Sequence, residues 1–131
     1  MNIKGEPQQI NRKAEEIFTF LSDFRNFETI MPEEVKNWQA KVENCSFEVG
    51  GMAIELRIVE IKSASYLKID SEGKTPFSFT LHTRLTYITN SSTEIGFEID
   101  ADVNPMLSMM IKRPLENLVN MMNKKLKELF S

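Results

Sequence analysis

His82 is the only histidine in this chain of 131 residues, so any general acid or base working near neutral pH begins with it. It belongs to the series Ser78, Thr80, His82, Arg84 and Thr86, which alternates with Phe79, Leu81 and Leu85. Alternation in a strand puts the two series on opposite faces, so the imidazole is expected on the solvated side, out of reach of anything the apolar side encloses. Glu98, Asp100 and Asp102 alternate in the same way with Phe97, Ile99 and Ala101 and read as a solvated acidic face. A carboxylate pair for glycoside cleavage, or a calcium site, would have to converge on a cleft instead. Ser22 and Cys45 have no histidine near them in sequence, and with His82 facing outward no nucleophilic triad forms. Gly73-Lys74-Thr75 looks like the end of a phosphate-binding loop, but Lys68 stands where the earlier glycine is required, so a β-turn is expected there. No catalytic residue, metal set or cofactor is expected.

The methionines carry more information. Five of the eight, Met106, Met109, Met110, Met121 and Met122, fall in the last quarter of the chain, where flexible thioethers can fill a core or repack around ligands of different shape.

Composition narrows the partners. A net charge of −3 and a pI near 5.3 argue against nucleic acid as principal partner, because phosphate binding needs a basic stripe that releases counterions. Lys124, Lys125 and Lys127 cluster, but at a helix C-terminus, where cations complement the dipole. Apolar residues make up 41% and charged residues 27%, the balance of one globular domain over residues 1–131. No apolar run can cross a bilayer, so integral membrane association is not expected, and Met1 to Ile10 hold no block resembling a secretion signal. One cysteine cannot form an internal disulfide, and a reducing cytoplasm is the simplest home. Without a secretory signal the sequons at Asn44 and Asn90 are chance matches.

The elements that must position these residues follow from periodicity. Pro7 restricts any first strand to an edge or a short ladder. Asn11 is expected to cap a helix carrying Ile17, Phe18 and Leu21 on one face, and a second short helix from Asp23 buries Phe24, Phe27 and Met31 before Pro32 stops it. Alternation then predicts strands around Trp38 and Ala40, around Cys45 and Phe47, and from Met52 to Ile61, the last with a bulge where Val59 and Ile61 change face. Strands at Leu67 and Ile69, from Phe77 to Tyr87 and from Ile95 to Val103 follow, the last two as a hairpin. Charge pairing of Arg84 with Glu98 and of His82 with Asp100 predicts a register in which Leu81 meets Ala101 and Leu85 meets Phe97. Asn104 and Pro105 open a long helix whose apolar stripe includes Leu107, Met110, Leu115, Leu118, Met122 and Leu126, with a bend expected at Pro114.

This order covers essentially the whole chain and resembles the START-like superfamily, which includes pollen-allergen-like proteins and the polyketide cyclase and lipid-transport proteins. Ile17 to Pro32, with Leu21-Ser22-Asp23 and Met31-Pro32, looks like that family's first helix turning at an aspartate into a second that ends at proline. Ser71-Glu72-Gly73 before the Phe77 strand fits its central hairpin, and Leu107 to Leu129 its gripping helix. The resemblance implies an α+β helix-grip fold: a curved antiparallel sheet of about seven strands around a long C-terminal helix, with two short helices after the first strand. It also implies a cavity between sheet and helix. The wall is expected from Leu56, Ile69, Phe79, Leu81, Phe97 and Ile99 of the sheet and Met110, Leu118 and Met122 of the helix, with Trp38 near an entrance and Thr83 as the inward polar group. An empty apolar cavity of about 300 Å³ would cost on the order of 7 kcal/mol, so that space must be occupied or small. The function this suggests is binding of a hydrophobic small molecule, a lipid or an aromatic compound, without catalysis. The alternative is a protein-interaction module with a closed core and an exposed apolar patch; a cyclase or hydrolase comes third.

Overall fold

The computed structural model describes residues 1–130. Its strands are β1 (Asn2–Lys4), β2 (Gln8–Ile10), β3 (Lys36–Ala40), β4 (Asn44–Val49), β5 (Met52–Lys62), β6 (Tyr66–Ser71), β7 (Ser78–Thr89) and β8 (Ser92–Asp102). They form one antiparallel sheet in the order β1-β8-β7-β6-β5-β4-β3, with β2 also on β8. Helix α1 (Ala14–Leu21) and a 3-10 helix (Phe24–Ile30) follow β2, and α2 (Pro105–Leu129) closes the described chain. The architecture is the helix grip expected, with eight strands because Pro7 splits the first in two. Both pieces pair with β8, and between them Gly5 N–H donates to the Phe97 carbonyl at 2.9 Å.

Local chemistry accounts for most boundaries. Gly50 and Gly51 have φ of +58° and +76°, as a two-residue turn joining Val49 to Met52 requires. Asp23 caps the 3-10 helix by accepting from Arg25 N–H at 2.9 Å, and Asn104 caps α2 by accepting from Leu107 N–H at 2.8 Å. Asn11 does not cap α1. The capping position is Lys13, whose side chain makes no such bond, and Glu15 and Glu16 still fall in the favourable first turn. The bulge in β5 falls at Val59, between Ile58 and Glu60, and Val59 and Ile61 are both exposed.

The hairpin register differs from the one charge pairing predicts. Leu81 meets Ile99, Thr83 meets Phe97, Leu85 meets Ile95 and Arg84 meets Gly96, a displacement of two residues that leaves every face unchanged. The chain turns through Asn90 and Ser91 with an irregularity between Tyr87 and Thr89, and that turn sets the pairing. Exposed ion pairs contribute only about 0–1 kcal/mol and adapt to it: Arg84 still bonds Glu98, and His82 Nε2 still lies 3.0 Å from Asp100, both reaching diagonally.

On α2 the buried stripe is Ile111, Leu115, Val119, Met122 and Leu126, centred on Val119, beside Gly5. Met110 is 70% exposed and does not face the interior. It stands about 100° round the helix from Ile111, and two adjacent apolar residues give no sequence signal as to which one the sheet will cover. Pro114 lies on the exposed side, and the helix continues through it.

Candidate functional site

Most of the side chains the sequence places inward meet between the sheet and α2, Met110 excepted. Leu56, Ile69, Phe79, Leu81, Phe97, Ile99 and Met122 are all buried there. They leave little room: the void bounded by Phe47, Leu56, Phe79, Leu81, Leu118 and Met122, with Val49 and Val119, is about 20 Å³. One water fits such a space at most. The grip is closed by its own residues, which removes the energetic difficulty of an empty cavity. Ile69, Thr83 and Phe97 do not touch this void. Thr83 Oγ1 is buried without a hydrogen-bond partner among the described residues. Trp38 stacks on Phe47 with centroids 5.3 Å apart, and its Nε1–H is buried without a partner among the described residues.

Directly beside the void is an open cleft of about 470 Å³, lined by Pro32 and Glu34, by Val49 and Gly50, and by Pro114, Asn117, Leu118 and Met121 of α2. Val49 and Leu118 line both spaces, so these two side chains form the partition between cleft and interior. Gly50 has no side chain to cover the opening. Pro32 is held opposite α2 because Lys125 Nζ donates to the Met31 carbonyl at 3.0 Å. Asn117 is the uncharged polar side chain free to meet a bound molecule, since neighbouring Asn120 accepts from Glu6 N–H at 2.8 Å. Of this lining the sequence puts Leu118 in the expected wall and names Met121 among the adaptable methionines. The Gly50-Gly51 turn was the available signal for the rest, because a turn that ends a strand beside the gripping helix forms one lip of the opening.

The remaining chemistry lies on the outer face. Tyr66 Oη is 2.6 Å from His82 Nδ1, and His82 Nε2 is 3.0 Å from Asp100 Oδ2. With Tyr66 donating to Nδ1 and Nε2–H donating to Asp100, all three groups are satisfied. The sequence missed Tyr66, whose ring stacks on His82 from the neighbouring strand. Nothing in this series activates the tyrosine. Burial pushes the Tyr66 hydroxyl above its ordinary value, whereas a tyrosine acting through its anion needs the opposite. Asn2 donates 2.6 Å bonds to both Asp100 and Glu98 and, with His82 and Arg84, holds both carboxyls below the usual range.

Cys45 is no nucleophile either. Burial pushes its thiol up to about 12, so at pH 8 only about one molecule in ten thousand carries the reactive thiolate. Iodoacetamide is therefore expected to leave the native protein unmodified over hours at pH 8 and to label it at once in denaturant. Rapid native labelling, read by mass spectrometry, would contradict that placement.

No protein-family model matches the sequence. No curated protein matches it either. Solved structures do match. A START superfamily protein from Mycobacterium smegmatis superposes with a TM-score of 0.72 at 14% identity, over 98% of each chain. XoxI from Bacillus cereus gives 0.78 at 9%, over 98% of this chain and 94% of that one. Norcoclaurine synthase from Thalictrum flavum gives 0.74 at 11%, over 98% and 85%. The chain has the START-like fold.

Proposed function

Starting from a START-like fold, we propose that this protein binds an apolar small molecule, a lipid or an aromatic compound, between its sheet and α2 without turning it over. The observation that carries the proposal is the partition: an open cleft and the closed interior share Val49 and Leu118. Rotation of these two side chains is a small rearrangement compared with unfolding any element. The cleft lies in the usual size range for ligand sites, and Asn117 can orient a polar end. Leu56, Phe79, Leu81, Ile99 and Met122 supply the apolar wall behind the partition. A lone, buried Cys45 fits a protein that works in the cytoplasm.

A second reading is favoured by one observation. The interior void is so small that the domain can be complete without a ligand, as a protein-interaction module would be. Catalysis stands third. One structural neighbour is a synthase by name, but the only histidine of this chain faces away from the grip. Native mass spectrometry of freshly purified protein separates the first two readings. An added mass of a few hundred daltons, lost on denaturation, is expected for a ligand carrier; a bare protein mass after purification and after incubation with a lipid extract counts against it.

A further inference from the structure

Met106, Met109 and Met110 are 76%, 84% and 70% exposed, on successive turns at the start of α2. Isolated exposed apolar residues need no explanation, but three large ones together at i, i+3 and i+4 form a patch. Lys112 and Arg113 follow them, both exposed and neither in an ion pair among the described residues. Residues 103–115 contain no Asp or Glu, in a chain with 19 acidic and 16 basic side chains. Helix stability does not favour this pattern: the first turn of α2 carries no acid, although an acid there would be stabilising. The patch is also continuous with the cleft. Met106, Met110, Pro114, Asn117 and Met121 recur at the spacing of one helical face, and the last three line the opening.

We propose that the N-terminal half of α2 docks on an anionic lipid surface, with the methionines in the interface and Lys112 and Arg113 against the headgroups. The apolar patch itself carries no acid, and with Lys112 and Arg113 against Glu116 its edge stays net positive, the charge and polarity of an interfacial helix. A second copy of the chain fits less well. A two-fold contact on the same face would gather Lys112 and Arg113 of both copies against a single helix acid, Glu116, from each. Glu34, which also lines the cleft, belongs to the segment between the 3-10 helix and β3 and not to α2. Docking so placed brings the mouth of the cleft beside the bilayer, where apolar molecules are concentrated. It rests on the exposed helix face alone, so the vesicle result and the soluble-ligand result can fail separately.

The test is co-sedimentation with phosphatidylcholine vesicles, with and without phosphatidylserine, at low and high salt. Binding is expected only with phosphatidylserine and should weaken with salt. Lys112→Gln with Arg113→Gln should reduce it by roughly 25-fold, about fivefold per charge, and Met106→Ser with Met109→Ser should reduce it further. All four residues are exposed, so the melting curves should be unchanged. Lys124→Gln with Lys127→Gln, at the other end of the helix, should leave binding intact. Absence of wild-type binding, insensitivity to the Lys112 and Arg113 changes, or loss in the Lys124 and Lys127 variant would each overturn the proposal.

Discussion

Phe97→Ala is expected to lower the unfolding free energy by about 3–5 kcal/mol, a large part of the stability of a domain this size. Phe97 is 1% exposed in β8, the strand that both halves of the broken first strand pair with. On one side it faces Thr83 of β7. On the other, its carbonyl receives Gly5 N–H, and a Cβ built on Gly5 would sit 3.2 Å from Val119 of α2. Sheet, first strand and helix thus meet at Gly5, against the backbone of Phe97, and a backbone so tightly held cannot collapse into the space the ring leaves. The cost should therefore fall toward the upper end of the range. Two further measurements sharpen the test. Tyr87→Ala, in the same hairpin but 66% exposed, should change stability by no more than about 0.5 kcal/mol. Indole or benzene should recover part of the Phe97→Ala loss by occupying the apolar hole, as engineered apolar cavities do. Urea unfolding gives all three values, and a loss below about 1 kcal/mol for Phe97→Ala would show that the region relaxes in a way this packing does not allow.

The fold was legible in the sequence because strand parity and turn chemistry both act over short distances. Phe79, Leu81, Phe97 and Ile99 were placed inward from alternation alone, and Gly50-Gly51 and Asn104-Pro105 marked a turn and a helix start that the backbone adopts. The hairpin register was not legible from its charges, because Arg84 and His82 reach their acids diagonally as well as directly. Register depends instead on the turn at Asn90 and Ser91, where Asn-Ser-Ser does not reveal in advance the irregularity next to it. The site was only half legible for a related reason. Periodicity says which face of a strand or helix is apolar, which found Leu56, Leu81 and Met122. It does not fix helix rotation to within one residue, so Met110 was expected inside and is outside, and Val119, the centre of the stripe, was passed over. Nor does it say how completely side chains fill a concavity, which depends on the packing of Phe47, Leu115 and Leu118 together.

The central claim is that apolar ligands enter past Val49 and Leu118, and its largest consequence is a ligand-dependent gain in stability. Binding to the folded state alone contributes RT ln(1 + [L]/Kd), about 2.7 kcal/mol at a hundredfold excess over Kd, or roughly 10 °C in melting temperature for a chain of this length. Leu118→Trp should abolish the gain. The side chain is half-buried at the junction of cleft and void, so an indole there can lie in the cleft at a cost of about 1 kcal/mol while blocking the way in. Met110→Trp is the control. That position is exposed, so the substitution should cost less than about 0.5 kcal/mol and leave the ligand response intact. The most direct measurement is the melting temperature of the wild type and these two variants across a panel of fatty acids and aromatic compounds. A rise for some ligands in wild type and Met110→Trp, absent in Leu118→Trp, is the predicted result. No rise for any ligand in the wild type, or an equal rise in Leu118→Trp, would contradict it.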